Sequence, residues 1–235
     1  MKHKISAVIM TLAMAAACMT GCLDSDKKNS TDQTDQNTAA ATEAAEPVTD
    51  ENGEEMSESM ELMRIKFKDV PEIESGPLIK MSNTEAKPGE IAKVTVSVTG
   101  ADKKWSMCGI HITYPDVLEC QLDDEEELIA EYELGKATEH NSGFVAMDWQ
   151  RNLDPELTRE HKRSVFFTTM FQDNNGKDGD IATFFFKVPN DAQPGTVYEL
   201  GYYYMDSDMF RDLDANMSFE KYAFEHLEGG SITVR

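Results

Sequence analysis

The run Asp180-Ile-Ala-Thr-Phe-Phe-Phe-Lys-Val188 decides how the rest of the chain is read. Turn chemistry bounds it on both sides: Asn174-Asn-Gly-Lys-Asp-Gly179 before it, Pro189-Asn-Asp-Ala-Gln-Pro-Gly195 after it. A short apolar run rich in aromatic and β-branched residues, flanked by glycines and prolines rather than helix caps, predicts a strand with both neighbours occupied. Alternation sends Ile181, Thr183, Phe185 and Lys187 to one face and Ala182, Phe184, Phe186 and Val188 to the other. The second set carries no charge and is assigned to the core.

Similar runs lie on either side. Leu78 to Ser82 reads as a first strand, and Ala86-Lys-Pro-Gly-Glu90 as a turn in which Pro sets φ and Gly supplies a positive φ. Ala92 to Val98 alternates, with Val94, Val96 and Val98 on one face. Met107–Tyr114, Gly143–Gln150, Ser164–Gln172, Thr196–Met205 and Ser231–Val234 are further strands. Between them, Leu122 to His140 is acidic and reads as a short helix or irregular cover. Asp154-Pro-Glu156 starts one helical turn. Ser218 to Leu227 is a small amphipathic helix with Phe219, Tyr222, Ala223 and Leu227 on one face and Gly229 and Gly230 as its stop. About eight or nine short strands with few helices predict an all-β sandwich.

The first 22 residues stand apart. Lys2, His3 and Lys4 precede an apolar run from Ile5 to Cys18, and Met19-Thr-Gly-Cys22 closes it. This is a secretory signal ending in a lipoprotein cleavage box with Cys22 as lipid acceptor, and it is short of the roughly 20 residues a membrane span needs. Residues 23–75 read as an acidic, disordered tether. Up to Met60 they hold eleven acids against Lys27 and Lys28 and too little apolar surface to offset the entropy of ordering. As a coil they span on the order of 40 Å. Glu61 to Glu74 is ambiguous: Ile65, Phe67 and Val70 suit a domain edge, and Pro71 interrupts any helix. The folded domain is assigned to residues 76–235.

The net charge of −22 excludes a nucleic-acid partner, whose phosphates need basic patches. Cys108 and Cys120 remain once Cys18 leaves with the signal and Cys22 takes lipid; a disulfide and two buried thiols both fit. The turn Asn174–Asp180 resembles a calcium loop but fails as one. With Gly179 at the sixth position, Phe185 falls at the twelfth, where a glutamate is required. No Gly-x-Ser-x-Gly, His-Glu-x-x-His or phosphate loop occurs, and the acidic run Glu125–Glu127 reads as a solvated face. The chain is therefore read as a non-enzyme with no metal site and no cofactor of its own.

Five blocks in order resemble the cohesin family. They are Ala86-Lys-Pro-Gly-Glu90 with its alternating valine strand, Cys108–Tyr114 running into Asp116-Val-Leu-Glu119, Asp178–Val188, Asp191-Ala-Gln-Pro-Gly195, and Gly229-Gly-Ser-Ile-Thr-Val234. The resemblance runs from about Pro77 to Arg235. It implies a nine-stranded jelly-roll β-sandwich, here with one or two short helical insertions, that binds a dockerin, a small calcium-loaded helical module. Calcium is thus expected on the partner. Two features depart from the better-known branch: the usual Tyr-Asp-Pro turn is Tyr114-Pro-Asp116, and Gly109 stands where that branch often carries a recognition aspartate. The acidic and helical insertions are more similar to divergent ruminococcal cohesins.

The family uses one sheet face, made of strands three, five and six with the loop after strand eight. Transferred residue by residue, the resemblance puts Phe144 in the core and leaves Val145, Met147 and Trp149 outside. On the third strand Cys108, Ile110, Ile112 and Tyr114 read as core, and Met107, Gly109, His111 and Thr113 face out, with His111 as an exposed or interfacial side chain. On the sixth, Phe166, Thr168 and Met170 point outward. Asp206, Met209 and Phe210 rim the surface. Such a platform suits burial of a helix more than steering by charge, and its methionines adapt to a partner. The expected protein is a lipid-anchored cohesin on the extracellular face of the membrane that holds dockerin-bearing enzymes or scaffold proteins. The alternative is a surface carbohydrate-binding lipoprotein, since that class shares the architecture.

Overall fold

The computed structural model describes residues 57–123, 128–148 and 155–235. Its strands are β1 (Leu78–Met81), β2 (Asn83–Ala86), β3 (Ile91–Thr99), β4 (Met107–Pro115), β5 (Glu119–Cys120), β6 (Tyr132–Leu134), β7 (Gly143–Asp148), β8 (Lys162–Met170), β9 (Gly179–Lys187), β10 (Val197–Tyr202), β11 (Met209–Arg211) and β12 (Gly230–Val234). Its helices are α1 (Glu58–Phe67), α2 (Pro155–Arg159) and α3 (Met217–Glu225). The strands form two sheets. One runs β1-β3-β9-β5, with β6 also on β9; the other runs β2-β12-β10-β4-β8-β7, with β11 on β4. The fold is the expected jelly-roll sandwich. Its extra strands include short pieces such as β6 and β11, which pattern alone does not read as strands, while the short β5 lies where the turn after Tyr114 is expected to lead into one.

The run that opened the reading is β9, and it is central: it pairs with β3 on one side and with β5 and β6 on the other. Ala182, Phe184, Phe186 and Val188 are buried, as alternation predicts. They meet Val94, Val96 and Val98 of β3 in the same core. Ile112, Ile110 and Phe167 line it from the other sheet. The first strand ends where expected, at Ser82, and a further short strand, β2, follows it directly. β1 stays with β3, whereas β2 crosses to pair in parallel with β12. Ser82 secures the crossing, because its hydroxyl accepts the Thr95 N–H at 3.0 Å.

The acidic segment after β5 has a structural task. Ile129 bridges to Met147 of β7, while Tyr132–Leu134 pair with β9. One strip of chain thus touches both sheets along one side of the sandwich. The Asn174–Gly179 turn is a strand connection, and the Asp178 carboxylate accepts the N–H groups of Gly100 (2.9 Å) and Ala101 (2.8 Å). Gly176 lies under Trp105, where a Cβ would fall inside the indole ring.

The boundary expected at residue 76 lies too late. Ser57 caps α1 by accepting the Met60 N–H at 3.2 Å. Glu58 and Glu61 in the first turn and Arg64 and Lys66 in the last complement its dipole. Phe67 is buried against Tyr204 and Phe224. Lys66 lies 2.8 Å from Glu220 of α3, a fully buried carboxylate that also pairs with Arg211 of β11. At least residues 57–75 of the expected tether therefore belong to the folded unit. The Glu220 cluster was invisible beforehand, since its partners come from three separate elements.

Cys108 and Cys120 are separate buried thiols. Burial pushes both well above the ordinary thiol range.

Candidate functional site

The outer face of the β7-β8-β4-β11 half of the larger sheet gathers most of the expected site residues. Strand pairing sets them in rows. Val145, Thr168, Gly109 and Met209 lie across from one another, as do Met147, Phe166 and His111, and as do Met170, Met107 and Arg211. The register of β7 is the expected one. Phe144 stacks inward on Phe167 at 6.0 Å, Ala146 and Asp148 are buried, and Val145 and Met147 fall on the outer face. The inward Asp148 accepts a hydrogen bond from the Tyr114 hydroxyl at 3.2 Å. That is how a charged residue is tolerated on the core side.

Met107, Val145, Met147, Phe166, Thr168 and Met209 are partly accessible, and Met170 is 54% exposed. Four methionines, a valine and a phenylalanine make this surface apolar. Beside it, Val145, Thr168 and Met170 line a shallow depression of about 260 Å³ with Gly143, Phe144 and Thr169. Trp149 and Cys22 lie outside the described residues.

Three expectations need correction. Phe210 does not rim the surface. Its pairing with Cys108 turns it to the core side, where it is fully buried between Trp105 (5.1 Å) and Phe219 (5.8 Å). His111 is on the outer face but is not an exposed contact. Only 5% of it is accessible, because Phe166 lies on its ring at 4.5 Å and Asp208 closes its edge. Gly109 is likewise buried: a Cβ there would come 3.4 Å from Phe166 Cζ and from Thr168 Oγ1. The outer face is therefore a platform with its own second layer, in which Phe166 covers β4.

Asp208 was missed by sequence reasoning. It follows β10 and is buried, with Oδ1 2.6 Å from His111 Nδ1. Its Oδ2 accepts the N–H groups of Met205 (3.3 Å) and His111 (3.4 Å). Burial raises its carboxyl above the usual aspartate value, and the hydrogen bond from His111 only partly offsets this. No local motif announces the pair, which is separated by 97 residues. Tyr203 and Glu156 were also missed. The Tyr203 hydroxyl donates to Glu156 Oε2 at 3.0 Å, and the same oxygen accepts the Glu58 N–H at 3.2 Å. Lys66 Nζ reaches the Asp208 carbonyl at 3.4 Å. α1 thus borders the platform along the β10–β11 connection.

The platform offers shape and apolar area. Among the described residues no group of three or more His, Cys, Asp or Glu is placed to hold a metal ion. Trp105, one of two tryptophans in the chain, is in the core and presents no surface to a sugar.

Comparison with known proteins bears on this geometry. A family model for the cohesin domain matches residues 78–203. No curated protein matches the chain. Among solved structures, a type III cohesin module from the cellulosomal ScaE cell-surface anchoring scaffoldin of Ruminococcus flavefaciens is 25% identical, with a TM-score of 0.58 over 69% of this chain and 89% of that one. A cohesin in a type I cohesin–dockerin complex from Clostridium thermocellum is 19% identical, with a TM-score of 0.48 over 68% of this chain and 100% of that one. A non-cellulosomal cohesin from the archaeon Archaeoglobus fulgidus is 18% identical, with a TM-score of 0.47 over 68% and 92%. With a family match over more than half of its length, the chain belongs to the cohesin family, whose domains are non-catalytic protein-interaction modules.

Proposed function

We propose that this cohesin binds calcium-loaded dockerin modules through the outer face of β4, β7 and β8, and so holds dockerin-bearing enzymes or scaffold proteins at the cell surface. The observation that carries the reading is the apolar platform itself. Met107, Val145, Met147, Phe166, Met170 and Met209 share one sheet face in a chain whose net charge is −22. An apolar patch on so acidic a protein is the exception that marks an interface. Methionine suits a face that must accept a helix, since its side chain adapts to the partner. Trp149 is proposed as a further contact, on the strand alternation of the sequence alone. Membership of the cohesin family agrees with this partner class.

Anchoring is part of the proposal. The Met19-Thr-Gly-Cys22 box and the acidic stretch that follows support a lipid on Cys22 and an outward-facing position. One acyl chain would be marginal, since each buried methylene contributes about 0.8 kcal/mol, so two or three chains are required. The ScaE relative is a cell-surface anchoring scaffoldin, which agrees.

The test is calorimetric titration of residues 57–235 against dockerins from the same genome, with calcium and again with chelator. One-to-one binding that is lost on chelation is expected. No binding to any dockerin, with retention on a polysaccharide column, would replace the reading with a carbohydrate-binding lipoprotein. For the anchor, Cys22→Ser is expected to release the protein from the membrane fraction, and retention of the variant would refute lipidation there.

A further inference from the structure

We infer that Asp208 and His111 are positioning residues for the partner surface: they fix the plane on which Phe166 rests, so that Phe166 presents a flat aromatic plate fitted to an aliphatic side chain of a docked helix. The inference rests on the docking reading and adds to it residues that never touch the partner.

The geometry has three parts. First, the space: Gly109 and His111 are successive outward positions on β4, and Phe166 pairs with His111 from β8. The Phe166 ring reaches from His111, with centroids 4.5 Å apart and planes 31° apart, to the point where a Cβ of residue 109 would sit, 3.4 Å from Cζ. A bare Cβ at residue 109 would touch the ring at ordinary van der Waals distance, so the ring keeps its place along the sheet as long as residue 109 carries nothing larger. Second, the support: the imidazole under Phe166 can rotate about χ2 unless its edge is held, and Asp208 Oδ1 at 2.6 Å from Nδ1 holds it. Third, the isolation of Asp208: its carboxylate is 1% exposed in side-chain terms and is occupied by His111 and by the Met205 N–H, while its own N–H donates to Met205 O at 2.8 Å. A group so enclosed acts on a partner only through what it holds.

The surroundings define the ligand chemistry. Met147 pairs with Phe166 on the β7 side, and Met209 pairs with Gly109 on the β11 side. The plate is therefore flanked by two flexible thioether side chains, with Val145 and Thr168 in the next row. A rigid aromatic floor with adaptable apolar walls fits a branched or long aliphatic side chain. A charged side chain landing there would lose its hydration without a partner. Holding the ring flat before binding spares the cost of ordering it afterwards.

The experiment is a double-mutant cycle by calorimetry in calcium, with the dockerin that binds the wild-type protein most tightly in the titrations above. Asp208→Asn and Phe166→Ala are each expected to weaken binding tenfold or more. In the Phe166→Ala background, Asp208→Asn is expected to change binding by less than twofold, because its effect passes through the ring. A full, additive loss in that background would overturn the inference, as would wild-type affinity in Asp208→Asn. Gly109→Val checks the same point without touching the Asp208 hydrogen bonds: it is expected to lift the ring and weaken binding tenfold, and unchanged affinity would count against the plate. In the free protein, the ring protons of His111 are expected to show an upfield NMR shift that disappears in Phe166→Ala and moves in Asp208→Asn. Absence of that shift in the wild type would refute the plate even if dockerins bind. If the shift is present but no dockerin binds, the docking reading fails and takes the partner surface with it, while the His111–Phe166 geometry stands.

Discussion

The two outer faces of this sandwich are built on the same pleat and end up opposite in character. On the smaller sheet, outward side chains answer one another. Thr95 and Thr183 share a hydrogen bond at 2.8 Å across β3 and β9. Lys93 stands over the Phe185 ring at 5.0 Å and reaches Glu133 at 3.3 Å. Ile181 is buried beside the turn after β6, where the Thr138 hydroxyl donates to its carbonyl at 2.7 Å. Leu78 and Ile91 are exposed singly at its margins. On the larger sheet the central outward positions of β4, β7 and β8 hold Met107, Val145, Met147, Phe166, Thr168 and Met170, and the charged Lys162 stands only at the end of β8, paired with Glu160 at 2.7 Å. One face satisfies itself; the other is left with apolar surface that only a second molecule can cover. The difference teaches that one pleat can carry a face whose side chains pair with one another and a face whose outermost side chains are apolar above a paired layer of His111 and Asp208.

The frame around the apolar face carries the largest expected effect. Glu220→Ala leaves Lys66 and Arg211 facing a vacated, buried site and frees α1 from α3. Breaking a buried ion pair from one side costs roughly 3–5 kcal/mol. Denaturant unfolding should show a loss of that size; a change below about 1 kcal/mol would mean that α1 is not held by the cluster. On the face itself, Met147→Glu places a charge where a partner must desolvate it. Dockerin affinity should fall more than a hundredfold, about 2.7 kcal/mol, with the melting temperature unchanged within the error of the scan. Unaltered affinity would move the contact off this face. Trp149→Ala should weaken binding more than tenfold, about 1.4 kcal/mol, and leave unfolding nearly unchanged; a large fall in melting temperature would put the indole in the core.

The opposite face supplies the controls. Thr183→Val removes one hydrogen bond, partly shielded, and should cost about 0.5–1.5 kcal/mol of stability without altering dockerin affinity. Lys93→Ala breaks a pair in which both side chains are more than half exposed, so its effect should stay within about 1 kcal/mol, again with unchanged binding. Weakened binding in either variant would remove the contrast between the faces.

Much of this was legible beforehand because a strand's side chains alternate with period two. The burial of Ala182, Phe184 and Phe186 and the inward Cys108, Ile110, Ile112 and Tyr114 follow from that rule applied to the right runs, whereas for β7 alternation gave two sets and the cohesin resemblance chose the one with Val145 and Met147 outward. α3 was readable from its apolar spacing, although its buried Phe224 and Glu220 were not assigned. α1 escaped detection because its own apolar pattern is weak. Its stability comes from Phe67 entering an aromatic cluster and Lys66 meeting Glu220, contacts made far along the chain.

By itself, the sequence determined which residues each strand turns toward the core and that one sheet face would be apolar, since both depend on local alternation and side-chain type. Only the tertiary structure decided that His111 and Gly109 lie beneath Phe166, that Phe210 is core, and that a stretch assigned to the tether forms helix α1 of the domain. Those outcomes depend on what arrives from elsewhere: a ring from the next strand, a carboxylate 97 residues away, and a short strand whose register turns one phenylalanine inward. Alternation assigns a side chain to a face, but its burial depends on what the folded chain sets above that face.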